Sequence, residues 1–262
     1  MSSSAMKNFL ILFLSAASLL VSEGKTVKII NGNEAVPHSR PYMALIHFET
    51  ETEEMICGGS LIRPNWVLTA GHCHKWWSLT TVRLGAHSLE GNEQGIQKFS
   101  VKKSFPHPKY NRHNLKNDIR LMKLSDSAKL GRTVQLLNLT NTFEDIAAET
   151  VCETAGWGWT ERNVNAESLR EVKISVLDRE TCQRHWGKKV DITKNLICTI
   201  VGSKGQDTCT GDSGGPLICN GLFRGVTSFG GAVCGQQNDA SIFTRLTEEY
   251  VSWINSTILK YS

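Results

Sequence analysis

From residue 42 onward, apolar and polar positions alternate in short bursts separated by Gly, Pro, Asn and Asp. That period-2 pattern belongs to half-buried strands rather than helices. It predicts strands over 42–48, 66–69, 81–84, 119–124, 150–155, 169–177, 222–228 and 241–246. Asn220-Gly221 predicts a type I′ hairpin turn, whose two central residues need positive φ. Only the end of the chain has a helical period. There Thr247 is placed to cap, Glu248 and Glu249 suit the positive helix end, and Tyr250, Val251, Ile254 and Ile258 share one face. The pattern predicts an all-β protein with a C-terminal helix, and leaves antiparallel barrels and a sandwich both open.

The first residues break this pattern. Lys7 precedes an apolar run over 9–21, and Ser22 and Gly24 are small, as a signal peptidase requires. A membrane span needs about 20 apolar residues, and this run stops earlier, at Ser22 and Glu23. A removed signal over 1–24 is therefore expected, with no membrane anchor and a secreted or granule-stored product. The remainder of the 262 residues shows no linker, repeat or low-complexity tract. One continuous unit over 29–262 is expected.

Eight cysteines behind a signal, none in a CxxC pair, point to structural disulfides rather than zinc. No metal and no cofactor is expected. The formal charge of +4 includes Lys7, Lys25 and Lys28 against Glu23, so residues from Ile29 onward carry 26 basic and 24 acidic side chains. That balance argues against nucleic acid as a partner, and doublets such as Lys102-Lys103 and Lys188-Lys189 read as solvated faces.

The chemistry is concentrated in three segments. Gly211-Asp212-Ser213-Gly214-Gly215-Pro216 offers a serine hydroxyl among glycines that let backbone N–H groups approach an oxyanion. Leu68-Thr69-Ala70-Gly71-His72-Cys73 offers a base, and Asn117-Asp118-Ile119 a carboxylate at the head of an apolar strand. Singly, the histidine and the aspartate read as structural, whereas the glycine-flanked serine by itself already reads as catalytic rather than as a mere tight loop. In the order His72, Asp118, Ser213 they read as a nucleophile, its base and the base's orienter.

These motifs, with Ala155-Gly156-Trp157-Gly158 and Ser228-Phe229-Gly230, resemble the chymotrypsin/trypsin family over nearly the whole chain from Ile29. The resemblance implies two antiparallel six-stranded β-barrels with a cleft between them. It implies disulfides Cys57 to Cys73, Cys152 to Cys219, Cys182 to Cys198 and Cys209 to Cys234. It further implies an oxyanion hole from the amides of Gly211 and Ser213, with Ser228 supporting Asp118. Asp207, six residues before Ser213, matches the base of the primary pocket, whose other members are Thr208, Ser228, Phe229, Gly230 and Ser241. A carboxylate there implies cleavage after Arg or Lys. Ser241 stands where trypsin-like members usually have glycine, so it narrows the pocket or bonds the substrate cation. Gly71, where the family usually has alanine, is expected to matter little.

Lys28-Ile29-Ile30-Asn31-Gly32 resembles the family's activation site, where a cut before Ile29 frees an amine that pairs with Asp212. The propeptide is then 25–28, or a dipeptide if the signal ends at Thr26. Asn31 replaces a preferred glycine, a mild departure because Asn tolerates the left-handed region. Leu89-Glu90-Gly91-Asn92-Glu93 resembles the trypsin calcium loop, but Ala86 replaces a carboxylate ligand and calcium needs about six oxygens, so none is expected.

Residues 33–43, 169–172 and 223–229 are most similar to granzymes of the A and K type, although 37–43 also resembles mast-cell and complement proteases. A digestive type fits less well, since no acidic run precedes Lys28. Lys109 lies in the region that carries granzyme A's chain-linking cysteine, so a monomer is expected. The expected partners are protein or peptide substrates, an activating protease, serpin-type inhibitors and granule proteoglycans. Asn138 and Asn255 head N-glycosylation sequons. The rival from another class is a catalytically silent relative serving as a binding protein.

Overall fold

The computed structural model describes residues 29–262 apart from 75–77, 92, 161, 162 and 238. The expected signal and propeptide, Lys28 included, lie outside the described residues. A two-residue strand β1 (Asn33–Glu34) leads into β2 (Met43–Glu49), β3 (Glu54–Arg63), β4 (Trp66–Thr69), β5 (Leu79–Leu84), β6 (Gln97–Pro106) and β7 (Arg120–Leu124). The last six close a barrel in the order β2-β3-β4-β7-β6-β5. Strands β8 (Val151–Gly156), β9 (Arg170–Leu177), β10 (Leu196–Ile200), β11 (Pro216–Cys219), β12 (Leu222–Phe229) and β13 (Ala240–Arg245) follow. They run β9-β10-β13-β12-β11-β8 and close through β8–β9, with β1 added on β9. Every strand pairing in both barrels is antiparallel. Two closed barrels replace the open choice between barrel and sandwich, and closure leaves few free strand edges.

The alternation is visible in β9, where Val172, Ile174 and Val176 are buried and Lys173 is exposed. With Ile29, Cys152, Leu217 and Phe243 these residues form the second barrel's core. The first barrel is filled by Ile46, Phe48, Leu61, Val67 and Val82, and is sealed by Tyr250, Val251 and Ile254 of α2 (Glu248–Lys260). Thr247 caps this helix, accepting a hydrogen bond from Tyr250 N. The turn Asn220-Gly221 has φ of 51° and 75°, both positive.

Strands begin and end within one or two residues of the predicted bounds, but β1, β3, β6, β10 and β11 go beyond the sequence pattern. In β6, Lys98, Lys102 and Lys103 face solvent while Phe99, Val101 and Phe105 are only partly buried, so the alternation is weak. A second helix, α1 (Arg179–Trp186), corrects the expectation that only the C-terminus is helical. Asp178 caps it by accepting from Thr181 N at 2.8 Å, and Gly187 ends it at φ 58°. Among its residues only Cys182 is buried, so α1 has no apolar stripe to betray it. It is held instead by the Cys182–Cys198 disulfide to β10. The other cysteines join as Cys57–Cys73, Cys152–Cys219 and Cys209–Cys234.

Candidate active site

Pairing of β4 with β7 places Thr69 opposite Arg120, so the segments that carry His72 and Asp118 meet at one end of the first barrel. His72 Nδ1 lies 2.8 Å from Asp118 Oδ2, and the His72 backbone N–H donates to Oδ1 at 2.8 Å. Ser228 Oγ, from β12 of the other barrel, donates to Oδ2 at 2.5 Å. Asp118 is completely buried, so three donors replace its lost water. Its backbone is held as well. Thr244 Oγ1 donates to the Asp118 carbonyl at 2.9 Å, and Tyr250 OH donates to Asn117 Oδ1 at 2.9 Å. Sequence reasoning missed Thr244 and Asn117 in these roles. For Tyr250 a signal existed: a phenol on an apolar helix face needs a buried partner for its hydroxyl.

Ser213 precedes β11 and lines, with His72, a cavity of about 350 Å³. Its hydroxyl makes no hydrogen bond among the described residues, consistent with a nucleophile–base bond that tightens only around substrate. Around it the backbone amides are sorted. Asp212 N donates to Cys209 O, Gly214 N to Thr227 O and Gly215 N to Asp212 O, at 2.8–3.0 Å. The amides of Gly211 and Ser213 donate to nothing among the described residues, leaving a pair of donors beside the hydroxyl. Gly214 makes this fold of the loop possible. It sits at φ 84°, and a Cβ there would lie 2.1 Å from Thr69 Oγ1 and 2.4 Å from Gly58 O.

The same cavity reaches Asp207, Thr208, Ser228, Phe229 and Gly230. Asp207 is buried rather than on an exposed loop. Its Oδ1 accepts from Thr208 N at 2.8 Å and Ser241 Oγ at 2.5 Å, and its Oδ2 from Gly235 N at 3.0 Å. Burial pushes its pKa up, against these three donors, and Asp239 pushes the same way. No cation compensates it among the described residues. Ser241 is not on the cavity wall. It bonds Asp207 Oδ1 and also lies against the wall residue Gly230, where a Cβ would come within 3.1 Å of Ser241 Oγ.

A family model described as Trypsin matches residues 29–254. The chain belongs to the trypsin family of serine proteases. Mast cell protease 3 of Ovis aries is 38% identical over 253 residues, covering 96% of this chain and 98% of that protein. Granzyme A of Bos taurus is 40% identical over 235 residues, covering 88% of each. The solved structure of neuropsin, a serine protease expressed in the limbic system of mouse brain, superposes with a TM-score of 0.77. It is 34% identical and covers 87% of this chain and 99% of that one.

The trypsin-family chain is thus a serine endopeptidase, and its remaining predicted positions fall as follows. Asp212 is buried beside the cavity, with Oδ1 accepting from Gly158 N at 2.8 Å and Oδ2 from Cys209 N at 2.9 Å. Burial, despite those two amides, pushes its pKa up to about 7. Asn31 takes φ 54°, the left-handed conformation that Asn tolerates. In the loop resembling a calcium site, Glu93 accepts from the His87 and Ser88 amides, and Arg83 donates to the carbonyls of Leu89 and Gly91. Asn138 is exposed, and so is Asn255 in the middle of α2. Among the described residues no helix is long and apolar enough to cross a membrane.

Proposed function

We propose that this protease is made as a zymogen and cleaves after Arg or Lys with Ser213 as nucleophile, His72 as general base and Asp118 as its orienter. The observation that carries the specificity is Asp207: a buried, uncompensated carboxylate in the cavity that also holds His72 and Ser213. A basic side chain entering that cavity supplies the missing charge, and a guanidinium can bond a carboxylate with two parallel N–H donors. As Ser213 Oγ attacks the scissile carbonyl, His72 takes its proton and Asp118, itself held by Ser228, stabilises the imidazolium. The oxyanion is received by the amides of Gly211 and Ser213, each worth about 3 kcal/mol. The acyl-enzyme is then hydrolysed by water.

Activation by cleavage between Lys28 and Ile29 is supported by two features. Asp212 is buried with amide partners only, so a new α-amine has an unpaired carboxylate to meet. Ile29 is fully buried and sits at φ 41°, where a β-branched residue is strained, and a cut before it abolishes that dihedral. Asp207 N donates to Ile30 O at 3.2 Å, which ties the new terminus to the pocket floor.

The uncut chain should therefore show an unusual pH dependence. Asp212 titrates near 7 when folded against 3.8 as an unperturbed group, so between those values the folded state holds the extra proton. Its contribution to stability falls as pH rises from about 4 to about 7. Thermal melts across this range should show that loss in a Lys28→Gln chain and not in protein starting at Ile29. Equal slopes in both would sink the pairing of Ile29 with Asp212.

Storage in granules and a granzyme A/K-like role in cytotoxic defence are the finer reading, supported by the 40% identity to granzyme A and by residues 33–43 and 223–229. The similarity to mast cell protease 3 supports a second granule-protease reading. Serpin-type inhibitors and proteoglycans go with either. The deciding experiment is a peptide library cut by protein starting at Ile29, with Ser213→Ala as blank. Cleavage after residues other than Arg and Lys would overturn the pocket assignment.

A further inference from the structure

Arg120, at the start of β7, is buried, and a guanidinium is almost never buried without a carboxylate partner. Here it has none in contact among the described residues. Its Nε and Nη2 donate to the Gly71 carbonyl at 3.1 and 2.8 Å, and its Nη1 donates to Ser104 Oγ at 2.8 Å. The Gly71 carbonyl belongs to the same peptide group as the His72 N–H, which donates to Asp118 Oδ1. One peptide thus lies between a buried cation on its oxygen and a buried carboxylate on its N–H. Hydrogen bonds arranged in such a chain polarise one another, most strongly where water is excluded. Gly71 is buried and its peptide tightly covered: a Cβ on Gly71 would lie 2.8 Å from the Tyr110 ring and 2.9 Å from Asp118 Oδ1. Gly71 is therefore a close-packed position, contrary to the expectation that it matters little.

We propose that Arg120 is a positioning residue for His72 and Asp118: its guanidinium polarises the Gly71–His72 peptide and so strengthens the hydrogen bond from that peptide to the carboxylate. This rests on the triad reading above. The charged and titratable groups around it are few. Asp118 faces the peptide from its N–H side. Tyr110 covers it and is pushed up to about 12 by burial and then by Asp118, against Arg120 and Arg112, which pull it down. His74 is held low by burial and then by Arg120 itself. Burial also pulls Arg120 down, to about 10, still well above neutrality, so it remains a cation in the working range.

The test is the pH profile of kcat/KM for an arginyl peptide in Arg120→Met, Arg120→Lys and wild type, all starting at Ile29. Loss of the cation favours the imidazolium, so Arg120→Met should move the acid limb upward by about half a unit to one unit. With the hydrogen bond from the His72 N–H to Asp118 weakened, kcat should fall about tenfold at unchanged KM. Arg120→Lys keeps the charge and loses the two-pronged contact, so its acid limb should stay in place while kcat drops. A folded Arg120→Met with the wild-type limb and kcat overturns the proposal. Should Arg120→Met not fold, an unchanged kcat in Arg120→Lys overturns it instead. A Ser213→Ala control that kept activity would refute the triad reading itself, which separates the two failures.

Discussion

Replacing Ser213 by alanine is expected to lower kcat by about 10⁶-fold while leaving the fold and its melting temperature unchanged. The size follows from removing the nucleophile, because His72 then has no hydroxyl to deprotonate and Asp118 no imidazolium to stabilise. The neutrality toward stability follows from the structure: Ser213 Oγ makes no hydrogen bond among the described residues, so nothing is left unsatisfied when it goes. The residual rate should still exceed that of water by about 10³–10⁴-fold, since the amides of Gly211 and Ser213 and the pocket remain. His72→Ala should cost about as much, and the double variant little more, because the two act as one unit. Single-turnover kinetics with an arginyl ester and a thermal melt measure both halves. A loss under a hundredfold would mean that another group is the nucleophile.

Asp207→Asn is expected to reduce kcat/KM for Arg and Lys substrates by about 10³-fold, through loss of a buried charge partner worth about 4 kcal/mol. Folding should be retained or improved, because the wild-type carboxylate is buried with no cation to offset it among the described residues. A companion change separates the carboxylate from its support. Ser241 Oγ donates to Asp207 Oδ1 and holds that carboxyl's pKa down against burial. In Ser241→Ala the pKa should rise. Binding of a basic side chain needs the ionised form, so the loss of affinity on acidification should begin at higher pH than in wild type. Inhibition by benzamidine, followed from pH 4 to 8, reads this directly. An unshifted profile would mean that Ser241 leaves the pocket's charge untouched.

What the sequence determined by itself is what depends on neighbours along the chain. The alternation in β9 is local, and so is the left-handed conformation of Asn31 and of Asn220-Gly221. The glycines flanking Ser213 are chemistry written in consecutive residues, as is the apolar stripe of α2. The resemblance carried by those motifs brought the barrels and the order His72, Asp118, Ser213.

The tertiary structure decided what joins distant residues. Ser228 and Asp118 are 110 positions apart, Thr244 and Asp118 126, and Tyr250 and Asn117 133, and no periodicity records such bonds. The helix α1 escaped because a disulfide and a cap hold it in place of an apolar face. Arg120 looked like one more residue of an apolar strand until β4 paired with β7 and set its guanidinium on the carbonyl before His72. Burial settled the charges as well. The resemblance already assigns Asp207 to a substrate cation and Asp212 to a new amine; what only the tertiary structure adds is their burial, which pushes both pKa values up.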